Sequence, residues 1–323
     1  MSTTSPVSPD PGSVEVRHDL AHVPLAPPSR TSGILEVFRR RYLLRLMVRR
    51  EIRARYAGTA FGLAWSYINP FTRFLTFYFV FGLLLGRGNG MQNFAIHLFA
   101  GMVLVNYFTE SVTSGTRSLL SNRGVIGKMA MPREMFPVAS MLVSLWHAIP
   151  QLIILVVACV VTGWVGDGPL WVPDAVGMAA SLLGFVLIMV YGTAFGLMFS
   201  CVNVIFRDFQ RIVQTFINIV PFTVPMMYPY YLIADGERIP RQYHDIYVAN
   251  PVAEAVMLIQ RGFWQPTCDG PCVVKPGTPP TVQPDFVGDL YSRGLIMLVI
   301  GIVLLGVGQF VFSRLEKSVP ERL

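Results

Sequence analysis

Charge is what this chain lacks most: 14% of its 323 residues are Asp, Glu, Lys or Arg, against about 25% in soluble domains. Missing too are the patterns that mark an enzyme. No G-x-S-x-G elbow occurs, no spaced His/Cys/Asp/Glu set suits a metal, and no acidic pair flanks a loop as in a glycosyl-transfer site. Asp167 and Asp174 flank Trp171 only loosely. Gly127-Lys128 has the look of a phosphate-binding loop. Met129 follows that lysine, however, and Asn122 stands where the first glycine is needed, so G-x-x-x-x-G-K-[ST] fails. The reading is of a chain with no catalytic residue, metal or cofactor of its own and no P-loop chemistry. No series of carboxylates runs through its apolar stretches, which argues against a secondary carrier.

What is present is apolar length. Residues of apolar type make up 53% of the chain, and six continuous stretches run over about 68–86, 94–113, 137–162, 176–203, 210–231 and 293–313. A helix needs about 20 such residues to cross a hydrocarbon core of about 30 Å. Lipid leaves unpaired backbone groups no water, so each stretch must be a helix or part of a closed barrel, and continuous runs favour helices. The expected fold is an all-α polytopic membrane protein with six transmembrane helices. Of 26 Lys and Arg, 19 fall on one side of these stretches. The positive-inside rule then predicts both termini in the cytoplasm. Because the charge is distributed by side, the net +7 is topogenic and does not point to nucleic acid.

The chain divides accordingly. Residues 1–33 hold six prolines among small residues and no apolar run, which predicts a disordered cytoplasmic arm and no signal peptide. Residues 34–66 contain Arg41, Arg45, Arg49 and Arg53 at every fourth position, opposite Leu43, Leu44, Met47 and Val48. That spacing predicts an amphipathic helix on the membrane surface that then leads into span one. Its arginines would meet anionic headgroups or merely hold the N-terminus inside. Residues 67–315 form the transmembrane domain, with an outer loop over 232–292, and 316–323 a cytoplasmic tail. Asn69-Pro70 starts or kinks span one. Arg73 follows among Phe74, Phe77 and Tyr78, placed either to snorkel or to face a cavity. Glu110 is expected at the inner interface, and His97 as a hydrogen-bonded packing residue.

Three connections carry further signals. The inner loop S-N-R-G-V-I-G-K-M-A-M-P-R-E offers Arg123, Lys128 and Arg133 around Val125, Ile126 and Met129, a short helix suited to a groove on a partner. The turn between spans four and five holds Arg207, Asp208 and Arg211, where Asp208 can pair with either arginine. Span five ends in P-F-T-V-P-M-M-Y-P-Y-Y, and its three prolines break helical bonding unless protein or a cavity satisfies the backbone. In the outer loop, Asn250 caps a short amphipathic helix begun by Pro251. Cys268 and Cys272 follow as C-D-G-P-C; on an oxidising side a disulfide is expected, two free thiols being the alternative. Cys159 and Cys201 read as small core residues.

The stretch R-R-E-I-R-A-R-Y-A-G-T-A-F-G-L-A-W-S-Y-I-N-P resembles the amino-terminal pattern of ABC-2 type permeases, the Wzm-like membrane subunits of polysaccharide exporters. Arg50, Glu51, Arg55, Tyr56, Gly62, Trp65 and Pro70 carry the match, followed in order by Arg123–Pro132, the corner Phe206-Arg207-Asp208, and Asn250-Pro251 before Arg261. The likeness covers about 34–315 and is nearest to permeases for O-antigen, teichoic acid and lipid-linked galactan. It implies a homodimer of six helices per copy in a bacterial cytoplasmic membrane, with two separate Wzt-like ATPase subunits that bind ATP and Mg. It assigns coupling to Glu51, Arg123, Val125, Ile126, Lys128, Met129, Arg133, Arg207 and Asp208. A path for a polyprenyl-pyrophosphate glycan would use Arg41, Arg45, Arg49, Arg73, Phe74, Phe77, Tyr78 and Tyr228. Exporters of a small drug or lipid, and ATP-independent flippases, are the alternatives.

Overall fold

The computed structural model describes residues 33–86, 90–126, 131–165, 169–206, 208–234, 240–275, 281–282 and 285–316. Two helices, α1 (Gly33–Arg39) and α2 (Arg41–Tyr56), precede the first apolar stretch. That stretch is α3 (Trp65–Phe77), which widens into π-helical turns over Tyr78–Leu84. Next come α4 (Phe94–Ser121), the single turn α5 (Arg123–Ile126), α6 (Met135–Val165) and α7 (Ala175–Ile205). After α8 (Phe209–Ile219) the chain makes short helices α9 (Tyr231–Ala234) and α10 (His244–Val248). Then follow α11 (Pro251–Phe263), a two-residue ladder of β1 (Val274–Lys275) and β2 (Thr281–Val282), and α12 (Leu290–Leu315).

Four of the six stretches, in α4, α6, α7 and α12, are long and apolar enough to cross a membrane. The first and fifth are not single long α-helices. The first passes from α- to π-helical bonding at Tyr78. The fifth stops after Ile219, because Pro221 and Pro225 supply no N–H to continue the ladder. At 1.5 Å per residue, the 11 residues of α8 span about 16 Å, half the hydrocarbon thickness.

The core is α4. Most of its length is buried, whereas α12 leaves Leu295, Ile296, Val299, Ile302, Val303 and Phe310 exposed. Such a continuous apolar face suits lipid. Without a hydrophobic force between helices in lipid, close approach supplies cohesion, and small residues permit it. Gly115 of α4 meets Gly196 of α7: a Cβ on Gly115 would stand 2.7 Å from the Gly196 Cα. On the other flank, α11 presses Gly262 against Gly177 of α7. The α7 start is fixed by Asp174, whose carboxylate accepts from the Gly177 N–H at 3.0 Å and lies 3.5 Å from Arg261 Nη2.

α11 begins as its sequence dictates: Asn250 Oδ1 accepts from the Val252 N–H at 3.0 Å and Pro251 occupies the first turn. It is buried along nearly its whole length against α7 and α4. It enters the bundle from the end opposite α1, α2 and α5, termed here the far end; the other is the basic end. At the far end Cys268 and Cys272 are joined in a disulfide. Gln92 pins that loop: its N–H donates to Cys272 O at 2.9 Å, its Nε2 to Asp269 O at 3.0 Å, and its Oε1 accepts from the Asp269 N–H at 2.9 Å. Trp264 Nε1 donates to Gln92 O at 2.8 Å, and Asn93 Nδ2 to Thr267 O at 2.7 Å.

Two outcomes follow. Gly115→Val should force α4 and α7 apart, costing about 3 kcal/mol or more and appearing as a lowered melting temperature and loss of monodisperse detergent-solubilised protein. Replacing both Cys268 and Cys272 by Ser removes a very short loop closure, worth about 2 kcal/mol. Hydrogen exchange should rise over 264–274 while α4 and α7 stay protected.

Candidate transport cavity

Polar side chains recur along one face of each of four helices. On α3 they are Ser66, Asn69 and Arg73; on α4, Asn106, Thr109, Glu110 and Thr113; on α6, Ser144, His147 and Gln151; on α8, Gln214 and Asn218. Spacings of three, four and seven place each set on one helical stripe. The four stripes converge on a cavity of about 770 Å³, with Met102 and Met226 towards the far end and Arg55, Tyr56 and Thr59 towards the basic end. A polar hollow among apolar helices costs desolvation unless water or cargo fills it.

Arg73 lies on the cavity wall, where its Nη1 donates to Asn106 Oδ1 at 2.8 Å. Asn106 Nδ2 donates to Gln151 Oε1 at 3.0 Å, and Gln151 Nε2 to the His147 carbonyl at 3.1 Å. This relay of neutral amides orients the guanidinium without neutralising it. Glu110 is the carboxylate of the lining, and it is engaged by Arg55 at 2.6 Å. With two arginines and one glutamate, the described lining carries a positive excess that centres on Arg73.

The roof comes from the broken fifth stretch. The His97 Nδ1–H donates to Met226 O at 3.2 Å, which fixes that tautomer. Gln260 Nε2 of α11 donates to Pro225 O at 3.0 Å and to His97 O at 3.2 Å, and Asn250 Nδ2 to Thr223 O at 3.3 Å. Trp264 packs edge-on against His97, ring centres 4.4 Å apart. His97 is thus a packing residue.

Of the residues expected on a cargo path, Arg73 and Phe77 line the cavity. Phe74 stacks on Tyr78 and packs edge-on against Phe99, and Tyr78 stacks on Phe94, so both face α4. Tyr228 lies in the far-end cap, donating to Phe222 O at 3.2 Å and within 3.2 Å of the Tyr247 hydroxyl. Arg41, Arg45 and Arg49 form the exposed side of α2. Its apolar side, through Leu44 and Met47, is buried in protein against Met135, Phe136 and Ala139 of α6, whereas the sequence predicts a helix lying on the membrane surface.

Of the residues expected in coupling, Arg123 is exposed, and Val125 and Ile126 are half-buried on α5. Lys128, Met129 and Arg207 lie outside the described residues. Arg133 is largely covered; its Nη1 donates to Glu316 O at 2.9 Å and lies 3.5 Å from the Glu316 carboxylate. Burial and the neighbouring Glu134 push the Glu316 carboxyl up to about 7 against the opposing pull of Arg133. Glu51 is half-buried on α2, accepts from Ser140 Oγ at 3.4 Å, and is raised by burial. Asp208 is exposed, 3.8 Å from Arg211, a surface pair of small worth.

Sequence reasoning missed Asn106, His147, Gln151, Gln214 and Asn218. Their signal is the alignment of polar residues on one stripe of an otherwise apolar helix.

The family pattern of the ABC-2 type transporter matches residues 42–262. The chain is 23% identical over 279 residues to an O-antigen export system permease protein, RfbA, of Klebsiella pneumoniae, covering 84% of this chain and 94% of that one. Identity to RfbA of Myxococcus xanthus is 26% over 206 residues, covering 62% and 74% respectively. The polysialic acid transport protein KpsM of Escherichia coli is 20% identical over 210 residues, covering 65% and 76%. Four long apolar helices, a polar hollow between α3, α4, α6 and α8, and a family match running from α2 into the last turn of α11 make this chain an integral membrane permease of the ABC-2 type transporter family.

Proposed function

We propose that this permease exports a lipid-linked polysaccharide, a glycan on polyprenyl pyrophosphate such as a galactan, powered by a separate ATPase. The observation that carries the reading is the polar cavity with its positive excess. A hydrophilic chain needs hydrogen-bonding walls through the bilayer, and Asn69, Asn106, Gln151, Gln214 and Asn218 offer donors and acceptors suited to sugar hydroxyls. Phe77 and Trp65 add faces on which sugar rings can rest. The relatives named for O-antigen export and polysialic acid transport support this cargo class.

The basic end is cytoplasmic in this proposal, which puts the Arg-rich α2 and the α5 loop where two ATPase subunits would dock. A homodimer completes the conduit, and all six apolar stretches contribute to the membrane domain of each copy. α8 supports this: Ile212, Phe216 and Ile219 are exposed on a helix of half-membrane length, and on the α3 wall of the same cavity Phe71 and Leu75, with Phe79 in the π-helical turns, are exposed too. Two copies joined along α3 and α8 would enclose the cavities between them. Arg73 serves the pyrophosphate, since guanidinium matches phosphate oxygens with a planar fork of donors.

The test uses cells expressing the permease with its ATPase. Arg73→Ala should reduce surface glycan about tenfold, the cost of one charge-assisted contact. Arg73→Lys should retain part of the export. Undiminished export by Arg73→Ala removes the headgroup role, and transport by the purified chain without any ATPase removes the ABC scheme altogether.

A further inference from the structure

The C-terminal end of α2 reaches the cavity through two consecutive side chains. Arg55 Nη1 lies 2.6 Å from Glu110 Oε1 on α4. Tyr56 Oη bonds His147 Nδ1 of α6 at 2.8 Å and the Ser66 hydroxyl of α3. Past Tyr56 the chain turns through an exposed elbow, residues 57–61. Gly58 (φ +76°) within it and Gly62 (φ +49°) just after it have no heavy atom within 4 Å of where a Cβ would stand. Leu44 and Met47 seat the earlier turns of α2 on α6, but its last turn is held to the wall by these polar contacts.

The Arg55–Glu110 pair faces the cavity with 35% of one side chain and 39% of the other exposed. A half-solvated pair of this kind holds weakly. It also leaves most of the Arg55 donors unused, where a phosphate would engage two at once. Glu51, one turn earlier on α2, also feels the Arg55 charge, which opposes the rise that burial imposes on its carboxyl.

We propose that Arg55 is an anion-exchange site at the basic mouth of the cavity. Its guanidinium leaves Glu110 for a phosphate or pyrophosphate group, and Glu110 is the internal competitor that holds the arginine when no anion is present. The exchange frees the end of α2 from α4, so occupancy of the cavity is reported to the helix that lies on the basic surface. The site rests on the reading of the cavity as a path for anionic lipid-linked cargo.

Competition makes a prediction that a structural ion pair does not. Purified full-length chain in nanodiscs is titrated with farnesyl pyrophosphate and, separately, with inorganic pyrophosphate, and heats of binding are recorded. Glu110→Gln removes the competitor and should tighten binding by roughly two- to fivefold. Arg55→Gln removes the acceptor and should weaken it by about tenfold or more, with Arg55→Lys between. The opposed pattern with both probes assigns the site to the headgroup alone; with the farnesyl probe only, it assigns it to a lipid-borne headgroup. Either supports the proposal. Glu110→Gln and Arg55→Gln shifting affinity in the same direction, or no binding of either probe to the unaltered chain, overturns it. These arms need no export, so their failure stands apart from the Arg73 result.

Discussion

A backbone that stops being helical inside a packed bundle must find partners for its buried carbonyls, and the far half of this protein is arranged around that need. α8 ends at Ile219, and Thr223, Pro225 and Met226 present carbonyls inside the bundle, with Pro225 and Met226 buried. Three side chains answer them: Asn250 at the start of α11, Gln260 near its end, and His97 on α4. One of these residues lies in α11 and another caps it, so the break and the inserted helix require each other. An unpaired buried carbonyl costs about 1–3 kcal/mol, which makes Gln260, serving two carbonyls, costly to lose.

The same constraint explains the cavity's position. The volume that a full-length fifth helix would fill is taken at the far end by α11 and the Val224–Met227 segment, all buried. Nearer the basic end it is left open between α3, α4, α6 and α8. Polar stripes on those helices are tolerated there because they face the hollow and one another. Apolar residues face outward on α12 and on much of α6. The helices thus sort their side chains by destination, polar to the cavity and apolar to lipid, and the sorting follows the helical stripe on each.

Much of this was legible in the sequence, and the reason it stopped where it did is physical. Apolar length exposes α4, α6, α7 and α12, since 18 or more uncharged apolar residues have few other uses. Asn250-Pro251 exposes the start of α11, because capping chemistry is local. The prolines after Ile219 expose the break, but Gln260 and His97 as its remedy depend on contacts between residues 35 and 129 positions apart. Arg73 among aromatic neighbours left snorkelling and a cavity both open, and helical rotation carries Phe74 and Tyr78 onto α4 and leaves Phe77 on the wall. Asn106 and Gln151 could not be distinguished from packing polar groups until α4 and α6 were set side by side. A stripe on one helix does not say what it faces.

Restraint is unevenly distributed along the axis of the bundle. At the far end the disulfide closes the 268–272 loop, and the Gln92 bonds, the Trp264 indole and main-chain bonds from Gln92 N to Cys272 O and from Val274 N to Gly90 O tie that loop to the start of α4 at several points at once. At the basic end α2 meets the cavity through Arg55, Tyr56 and a glycine elbow, and Arg133 meets the end of α12 through one side chain. Side-chain ion pairs exchange partners at little cost, whereas main-chain ladders do not. Motion delivered to this protein therefore enters most cheaply at the basic end, through α2 and the segment that precedes α6. The far end yields only if its backbone bonds are exchanged together.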